Sequence, residues 1–504
     1  MGASFHIEHF GCRAARADGE AIADRLRTAG LTEGQSAHAD VVVVNTCSVT
    51  AEADRAVRAY IRRAHRLNPE ARIVATGCYA QRAPEELAAL AGVAAVVGNS
   101  HKAFAPEIAL DLAQIEKQLP AIVSVRALLA GANPALILAD DRFAHSFLEE
   151  AQLALGTQTR PNLKIQEGCS NRCSFCVIPQ TRGSSRSLPA DAVLRQVEGF
   201  VTAGGNELVL SGINLGRWGR DLEPSANLPR TFAALVRQIL EQTNLPRLRL
   251  SSVEPMDWDA DLIGLVAEFG GTSSGSPAAG LRPGGDGRLA RHAHLPLQSG
   301  SDTVLRRMHR RYRPWHYAEK VAALCRAAGP DLTLGADVMV GFPGETDREF
   351  DETMDFVRSL PFGYLHLFPF SPRPATRAWA LHAAQAVPPA VVEERMAALR
   401  VLAAQKSEAH RRCFVGRTLD ALTLHTPTAL AGLGRTSALT ENFLPVEIAA
   451  PLPANRMVRV HVCGLTAEGA LCAEFAAGRP VEAGPYSPIS TRAIPDLAAC
   501  AQPA

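Results

Sequence analysis

The stretch that decides the fold is residues 167–179, EGCSNRCSFCVIP, in which Cys169, Cys173 and Cys176 follow a short apolar run. Three thiolates on one short loop can bind three irons of a [4Fe–4S] cluster and leave the fourth iron open. Zinc is the main alternative, but it usually needs a fourth protein ligand, and no Cys or His lies at the usual short spacing. Buried structural cysteines are the other alternative, which the tight spacing and the loop position disfavour.

Outward from this loop, residues 163–412 alternate β-type and helical patterns six times. The β-type segments are LKIQEGC, ELVLSG, RLRLSSV, AHLPLQ, LGADVMVGF and YLHLFPF. Six βα units predict an open, partial barrel over residues 161–410, with the cysteine loop directly after its first strand. Within it, the Gly/Ser/Pro-rich segment 271–288 is predicted to be a flexible surface insertion.

Residues 1–104 show a similar alternation, which predicts an α/β domain with a Rossmann-like parallel sheet. Three of its predicted strands end in a cysteine, namely Cys12, Cys47 and Cys78. Because ligands bind outside the carboxyl ends of parallel strands, the fold would bring these thiols together. Three separately buried thiols are the alternative. Residues 105–160 carry no motif and are predicted to be a connection with some helix.

Residues 411–478 change to short β-type segments between turn residues, which predicts a small antiparallel barrel, followed by a loose tail at 479–504. The formal net charge of +1 gives no global sign of a nucleic-acid partner, so local basic patches must supply one. The N-terminus lacks the pattern of a secretory signal, and no apolar run approaches the roughly 20 residues of a membrane helix. We therefore expect a cytoplasmic protein without a membrane partner.

The cysteine triplet, with Phe175 before its last member, resembles the signature of the radical S-adenosylmethionine enzymes. FGC at 10–12, NTCSVT at 45–50 and TGCYAQ at 76–81 narrow the resemblance to the methylthiotransferases. TGCYAQ, INLGRWGRDL and SLPFGYLHLFPFSPRPAT are most similar to the branch that acts on threonylcarbamoyladenosine beside the tRNA anticodon. One departure is Ala15, where the family usually has an asparagine.

The resemblance implies two [4Fe–4S] clusters, one held by Cys12, Cys47 and Cys78 and the other by the catalytic triplet Cys169, Cys173 and Cys176. The triplet cluster would bind S-adenosylmethionine at its open iron and generate a radical that abstracts the hydrogen from adenine C2. Sulfur from the first cluster would replace that hydrogen, and a second S-adenosylmethionine would supply the methyl group. An aromatic C–H bond is too weakly acidic for acid–base chemistry, which accounts for this cofactor.

Loops at the carboxyl ends of the barrel strands should cover S-adenosylmethionine. The predicted contacts are Phe175, Gly204, Gly205, Glu207, Glu254, Gln298, Gly341 and Glu345. For the glycines, ordinary turn chemistry is the alternative.

Two basic segments are candidates for binding the tRNA anticodon stem-loop. On the helix near residues 55–66, spacings of three and four place most arginines on one face. This face could bind phosphates, or it could be an ordinary solvated helix surface. In the segment 305–317, arginines alternate with aromatic residues, which suits stacking on unpaired bases. The predicted RNA contacts are Arg55, Arg58, Arg62, Arg66, Arg306, Arg310 and Arg313. The C-terminal module resembles the small RNA-binding barrel (TRAM-like) that ends the chains of this family.

Three alternatives remain open at this point. The same chemistry could act on isopentenyladenosine in tRNA or on an aspartate of a ribosomal protein, or the chain could be a non-catalytic iron–sulfur protein that binds RNA. The enzyme would need an electron donor such as flavodoxin or ferredoxin, and the sequence indicates no donor of the inserted sulfur.

Overall fold

The computed structural model describes residues 2–114, 135–145, 148, 158–223, 229–271 and 287–476. Nearly all of the predicted insertion at 271–288, the whole predicted tail at 479–504 and much of the connection at 105–160 lie outside the described residues. Among the described helices, none has both the length and the apolar character that a membrane span requires.

The first unit is a parallel sheet with helices on its faces. Its strands are β1 (Ser4–His9), β2 (Thr32–Glu33), β3 (Val41–Thr46), β4 (Arg72–Gly77), β5 (Val93–Gly98) and β6 (Leu136–Leu138). Its helices are α1 (Arg13–Thr28), α2 (Ala51–Leu67), α3 (Cys78–Arg82), α4 (Pro84–Ala88) and α5 (Ala105–Gln114). The strand order is β2-β1-β3-β4-β5-β6, and all pairs are parallel. β3, with the sequence VVVVNT, is buried along its whole length because both faces of the sheet are covered.

The strand β6 corrects the predicted boundary of this unit. It pairs with β5 through Leu136, Ile137 and Leu138, so the sheet continues beyond residue 104 into the segment expected to be only a connection. Its three residues carry no alternating pattern that the sequence could have revealed, and it lies at the edge of the sheet.

The second unit is the predicted partial barrel, and all six predicted strands are present. Its strands are β7 (Asn162–Glu167), β8 (Arg186–Ser187), β9 (Glu207–Gly212), β10 (Arg247–Leu250), β11 (His292–His294), β12 (Thr333–Val340) and β13 (Phe362–Pro369). They form two sheets, β8-β7-β9-β10 and β11-β12-β13. Isolated parallel bridges from Leu248 to Leu289 and from Ser252 to His294 join the two sheets. Among the described strands, β13 does not pair with β7 or β8, so the barrel stays open.

Helices surround this barrel, and one helix of the first unit lies against its open region. The helices of the second unit are α6 (Ile178–Arg182), α7 (Ala190–Thr202), α8 (Phe232–Gln242), α9 (Ala260–Phe269), α10 (Asp302–Arg307), α11 (Pro314–Ala328), α12 (Asp347–Ser359), α13 (Arg377–Gln385) and α14 (Pro389–Arg412). α1 packs against β7 and β9, which places the residues at the start of α1 beside the barrel interior.

The third unit is a closed five-stranded barrel. It contains β14 (Thr418–Thr423), α15 (Thr428–Ala431), β15 (Thr436–Thr440), β16 (Pro445–Ile448), β17 (Met457–Leu465) and β18 (Leu471–Phe475), in the order β14-β15-β16-β18-β17. The barrel was predicted to be antiparallel, and four of its five pairs are, but β16 and β18 run parallel. This unit docks at the amino ends of the central strands.

Several of the docking contacts are polar. Asn455 Nδ2 donates to the Gly204 carbonyl at 3.0 Å, and Asn442 Nδ2 donates to the Asp331 carbonyl at 3.2 Å. Arg291 Nη2 donates to Glu441 Oε1 at 2.5 Å. Because these partners precede β9, β12 and β11, the third unit covers the end of the central barrel opposite the cysteine loop.

A buried network of charges joins the first two units. Asp18 on α1 accepts from Lys102 at 2.8 Å, from Arg182 at 3.2 Å and from Lys164. Glu167 accepts from Lys164 and from Arg182, both at 2.7 Å. Burial alone would raise the pKa of Asp18, but the three cations lower it below its usual value. The two units are therefore held together by buried charged side chains, each of which needs its partners to offset the cost of burial.

We predict that Asp18→Asn lowers the free energy of unfolding by about 3 kcal/mol at neutral pH, because it leaves buried cations without their shared carboxylate. Folding lowers the pKa of Asp18, so its contribution is present above the unfolded value of about 3.9 and declines as the pH falls below it. Urea unfolding of the apoprotein at several pH values measures both effects. Asp24→Asn, on the same helix but half-exposed, is the control and should change stability by less than about 1 kcal/mol.

Candidate active site

The loop of the cysteine triplet is fixed on both sides by backbone contacts. Gly168 has a φ of +69°, and a side chain there would collide with the carbonyl oxygen of Ser184. The Cys169 amide donates to the Gly183 carbonyl at 3.0 Å, and Ser174 Oγ donates to the Arg307 carbonyl at 2.8 Å. The loop is therefore anchored to the turn after α6 and to the end of α10.

The sulfur atoms of the triplet receive hydrogen bonds that suit thiolates. Asn214 Nδ2 lies 3.5 Å from Cys169 Sγ, and Arg310 Nη1 lies 3.3 Å from Cys173 Sγ. Burial, with Cys173 and Cys169 nearby, raises the pKa of Cys176 to about 12. Such a thiol stays protonated unless a metal binds it, and metal binding then releases the proton. The donor set fits a cluster with three cysteine ligands.

The other three cysteines lie at the ends of neighbouring strands of the first unit. Cys12 precedes α1, Cys47 follows β3, and Cys78 begins α3. Burial, together with the nearby thiols of Cys78 and Cys12, raises the pKa of Cys47 to about 12, so the three thiols are close enough to interact. Cys78 Sγ accepts from Arg182 Nε at 3.3 Å and from Asn99 Nδ2 at 3.5 Å. This trio also fits a three-thiolate cluster.

Both cysteine sets open into one cavity of about 640 Å³, since Cys12 and Cys176 both line it. Four aromatic residues contribute to its wall. They are Phe175, Tyr364, Phe368 and Phe370. A cavity with aromatic walls suits a flat base that stacks on them.

A polar group that sequence analysis missed lies on the same wall. Asp337 Oδ1 is 3.4 Å from His294 Nε2 and 3.4 Å from His366 Nδ1, and Ser252 Oγ lies 2.7 Å from His294 Nδ1. Burial would raise the pKa of Asp337, but the neighbouring imidazoles of His294 and His366 lower it below its usual value. The signal available in the sequence was an ionisable residue in each of three strands of the barrel, namely His294 in β11, Asp337 in β12 and His366 in β13.

Of the residues predicted to contact S-adenosylmethionine, Phe175 and Gln298 line the cavity. Gln298 has a φ of +67°, and its buried Oε1 atom has no hydrogen-bond partner among the described residues, so it is free to bind a ligand. Glu254 contacts Arg310 at 2.5 Å and so reaches the Cys173 sulfur only indirectly.

The predictions for Gly204, Gly205 and Glu207 are wrong. These residues come before or at the start of β9, and so lie at the amino end of the barrel rather than at the end that carries the cysteine loop. Glu207 is fully buried and accepts from Arg160 at 2.6 Å and from Arg249 at 2.8 Å.

Glu345 does not line the cavity, and its assignment as a cofactor contact stays a prediction. It follows β12 at the expected end, but its carboxylate accepts from the Gly341 amide at 2.8 Å and from Arg395 at 3.0 Å. The side chain of Val392 packs against Gly341. This turn holds α14 in place and does not line the cavity.

The predicted RNA contacts fall into two groups. Arg55, Arg62 and Arg66 are exposed on α2, whereas Arg58 donates to Tyr79 Oη at 2.5 Å. Arg310 is buried at the triplet, so its assignment as an RNA contact is wrong. The remaining two, Arg306 and Arg313, both pair with Asp302, at 2.9 and 3.1 Å.

Comparisons with known proteins agree with this geometry. Residues 4–98 match a family described as uncharacterized protein family UPF0004, and residues 163–357 match the radical SAM superfamily. The threonylcarbamoyladenosine tRNA methylthiotransferase MtaB of Bacillus subtilis (strain 168) is 36% identical over 377 residues, which are 74% of each chain. The MtaB of Aquifex aeolicus (strain VF5) is 32% identical over 459 residues, 90% of this chain and 99% of the relative. Two synthases of tRNA-2-methylthio-N(6)-dimethylallyladenosine also match, at 34% identity.

Among solved structures, the radical S-adenosylmethionine methyltransferase TsrM of Kitasatospora setae matches with a TM-score of 0.51. It is 16% identical, and the match covers 75% of this chain and 77% of that one, which supports the fold.

The partial barrel and the cysteine triplet on its first loop define a radical S-adenosylmethionine enzyme. Within that class, the chain belongs to the methylthiotransferase family, since relatives of that family match it over most of their length. The cofactors of the family, S-adenosylmethionine and two [4Fe–4S] clusters, fit the two thiol trios.

We predict that the anaerobically reconstituted protein contains about eight irons, and that the triple variant Cys169→Ala, Cys173→Ala and Cys176→Ala contains about four, because each trio holds one cluster. Iron and sulfide analysis measures this. Alanine at Cys413, an exposed cysteine outside both trios, is the control and should leave the iron content unchanged. Loss of all iron from the triple variant would contradict two independent clusters.

Proposed function

We propose that the protein adds a methylthio group to C2 of N6-threonylcarbamoyladenosine beside the anticodon of tRNA. The observation that carries this proposal is that Cys12 and Cys176, one from each trio, line the same cavity. A base held there would be reached by both clusters without leaving the site. The names of two relatives that match most of their length support the same substrate.

In this proposal, Cys12, Cys47 and Cys78 hold one cluster, and Cys169, Cys173 and Cys176 hold the other. The clusters and S-adenosylmethionine supply the radical, sulfur-insertion and methyl-transfer chemistry when bound.

The protein's own residues hold the thiolates and shape the site. Arg310 and Arg182 donate to Cys173 and Cys78, which stabilises these sulfurs in the anionic form that binds iron. The aromatic wall stacks the adenine and excludes water from the reacting carbon. Gln298 offers an unpaired amide oxygen to S-adenosylmethionine or to the base.

The RNA would approach along α2. Val49 and Thr50, directly before α2, line the cavity, so a nucleotide in the cavity would leave its backbone close to that helix. Arg55, Arg62 and Arg66 are exposed there and can contact phosphates. The C-terminal barrel, at the other end of the central unit, would bind a further part of the stem-loop. The reaction would take place in the cytoplasm, with flavodoxin or ferredoxin as electron donor.

A dimethylallyl-bearing adenosine is the second candidate substrate, because synthases of its 2-methylthio form also match this chain. Nucleosides from tRNA of a deletion strain, analysed by mass spectrometry, decide between the candidates. We expect the strain to lose 2-methylthio-threonylcarbamoyladenosine and to accumulate its unthiolated precursor. The wild-type gene should restore the product, and a gene with alanine at the triplet cysteines should not. Loss of the dimethylallyl product instead would contradict the proposal.

We also predict that Arg55→Gln, Arg62→Gln and Arg66→Gln together weaken tRNA binding. Because each phosphate contact to a single strand contributes about 0.7 to the slope of log K against log salt, the slope should fall by about 2. Fluorescence anisotropy at several salt concentrations measures it.

The control for this variant removes three exposed arginines from helices that do not line the cavity. These are Arg326 on α11, Arg348 on α12 and Arg400 on α14. An equal loss of slope in the control would show that α2 has no special role.

A further inference from the structure

One cation on the cavity wall has no carboxylate partner among the residues that the structure describes. Arg13, the first residue of α1, lines the cavity beside Cys12. Its guanidinium makes no hydrogen bond or ion pair with any other residue that the structure describes, and lies 5.7 Å from the ring of Phe443. Among the described residues that line the cavity, Arg13 is the only arginine or lysine.

The groups around Arg13 do not compensate its charge. Arg160 and Arg249 also lie against Phe443, but both pair with Glu207, which in addition has Arg247 at 3.5 Å. Three guanidinium groups thus share that carboxylate, and Arg13 makes no contact with it. These four arginines and the single carboxylate of Glu207 therefore leave an excess of positive charge, and Arg13 carries it to the cavity.

The carboxylate on the cavity wall is already engaged. Asp337 lies within 3.4 Å of both His294 and His366. The hydroxyl group of Tyr364, on the same wall, forms a hydrogen bond with His292 Nε2 at 2.8 Å. The protein therefore offers Arg13 to an anion that a ligand must bring.

Resting on the proposed function, we propose that Arg13 binds the carboxylate of the threonylcarbamoyl group and so selects this nucleoside over the dimethylallyl one. Threonine joined through a carbonyl to N6 keeps its free carboxylate, whereas a dimethylallyl group is uncharged and has no hydrogen-bonding atom. The planar guanidinium matches a carboxylate with two parallel hydrogen bonds. Discrimination arises because the uncharged group would leave a half-buried cation unpaired.

The test uses the full-length protein with both clusters reconstituted and two anticodon stem-loops. One carries threonylcarbamoyladenosine, and the other carries its methyl ester, which lacks the negative charge and adds one methyl group. The wild-type protein should bind the acid about tenfold or more tightly than the ester, the range of a charge-assisted hydrogen bond. Arg13→Gln should bind both equally and as weakly as wild type binds the ester. Arg13→Lys should recover part of the preference.

Matched controls separate this role from damage to the neighbouring cluster. Arg16→Gln, one turn further along α1 and exposed, should keep the full preference for the acid. The iron content of Arg13→Gln should equal that of wild type, and so should its affinity for S-adenosylmethionine. A wild-type protein that does not distinguish acid from ester would overturn the role of Arg13, and so would an Arg13→Gln variant that still does. Weaker binding of S-adenosylmethionine alone would show that the cofactor supplies the anion, which also overturns it.

The failure of the proposed function looks different. If the wild-type protein converts only the dimethylallyl stem-loop, the substrate assignment is wrong. If it converts the threonylcarbamoyl stem-loop and the Arg13→Gln variant keeps the wild-type KM for it, only the role of Arg13 is wrong.

Discussion

The structure depends on the burial of five ionic side chains between the sheet domain and the barrel. Asp18, Lys102, Lys164, Glu167 and Arg182 are all buried, and each contacts at least one of the others. Ions in such a place are costly unless each has partners, so the two units can be packed together in few ways. Arg182 extends the network to the Cys78 sulfur, and Glu167 directly precedes the triplet loop. The network therefore sets the position of one cysteine trio relative to the other.

The two cysteine trios have the same kinds of hydrogen-bond partner, although the units that carry them have different folds. In each, one sulfur accepts from a buried arginine at 3.3 Å, and a sulfur accepts from an asparagine amide at 3.5 Å. Each arginine is in turn held by a carboxylate, Arg182 by Glu167 and Arg310 by Glu254. Positive charge next to a cluster makes reduction easier, and the hydrogen bonds on sulfur act in the same direction. The protein thus controls both clusters through the same two kinds of group.

Sequence analysis predicted the order of the three units and all six strands of the central barrel, because β-type segments and helical patterns alternate regularly along residues 163–412. It could not predict the partners of the sulfurs, since Arg182 lies 104 residues from Cys78 and Arg310 lies 137 residues from Cys173. Arg310 was instead assigned to RNA, because a run of basic residues gives no sign of which member is buried. The error at Glu207 arose from placing a residue at the wrong end of its strand.

The position of Phe443 links the C-terminal barrel to the cavity of the central unit. This ring, in the turn between β15 and β16, lies 4.4 Å from the His292 ring and 5.6 Å from the Tyr364 ring, beneath the cavity wall. A module that only tethered RNA could be exchanged for another of similar affinity. Here an exchanged module would also have to bring an aromatic residue to this turn, or water would enter from below. Replacing the C-terminal barrel would therefore also disturb the wall of the cavity.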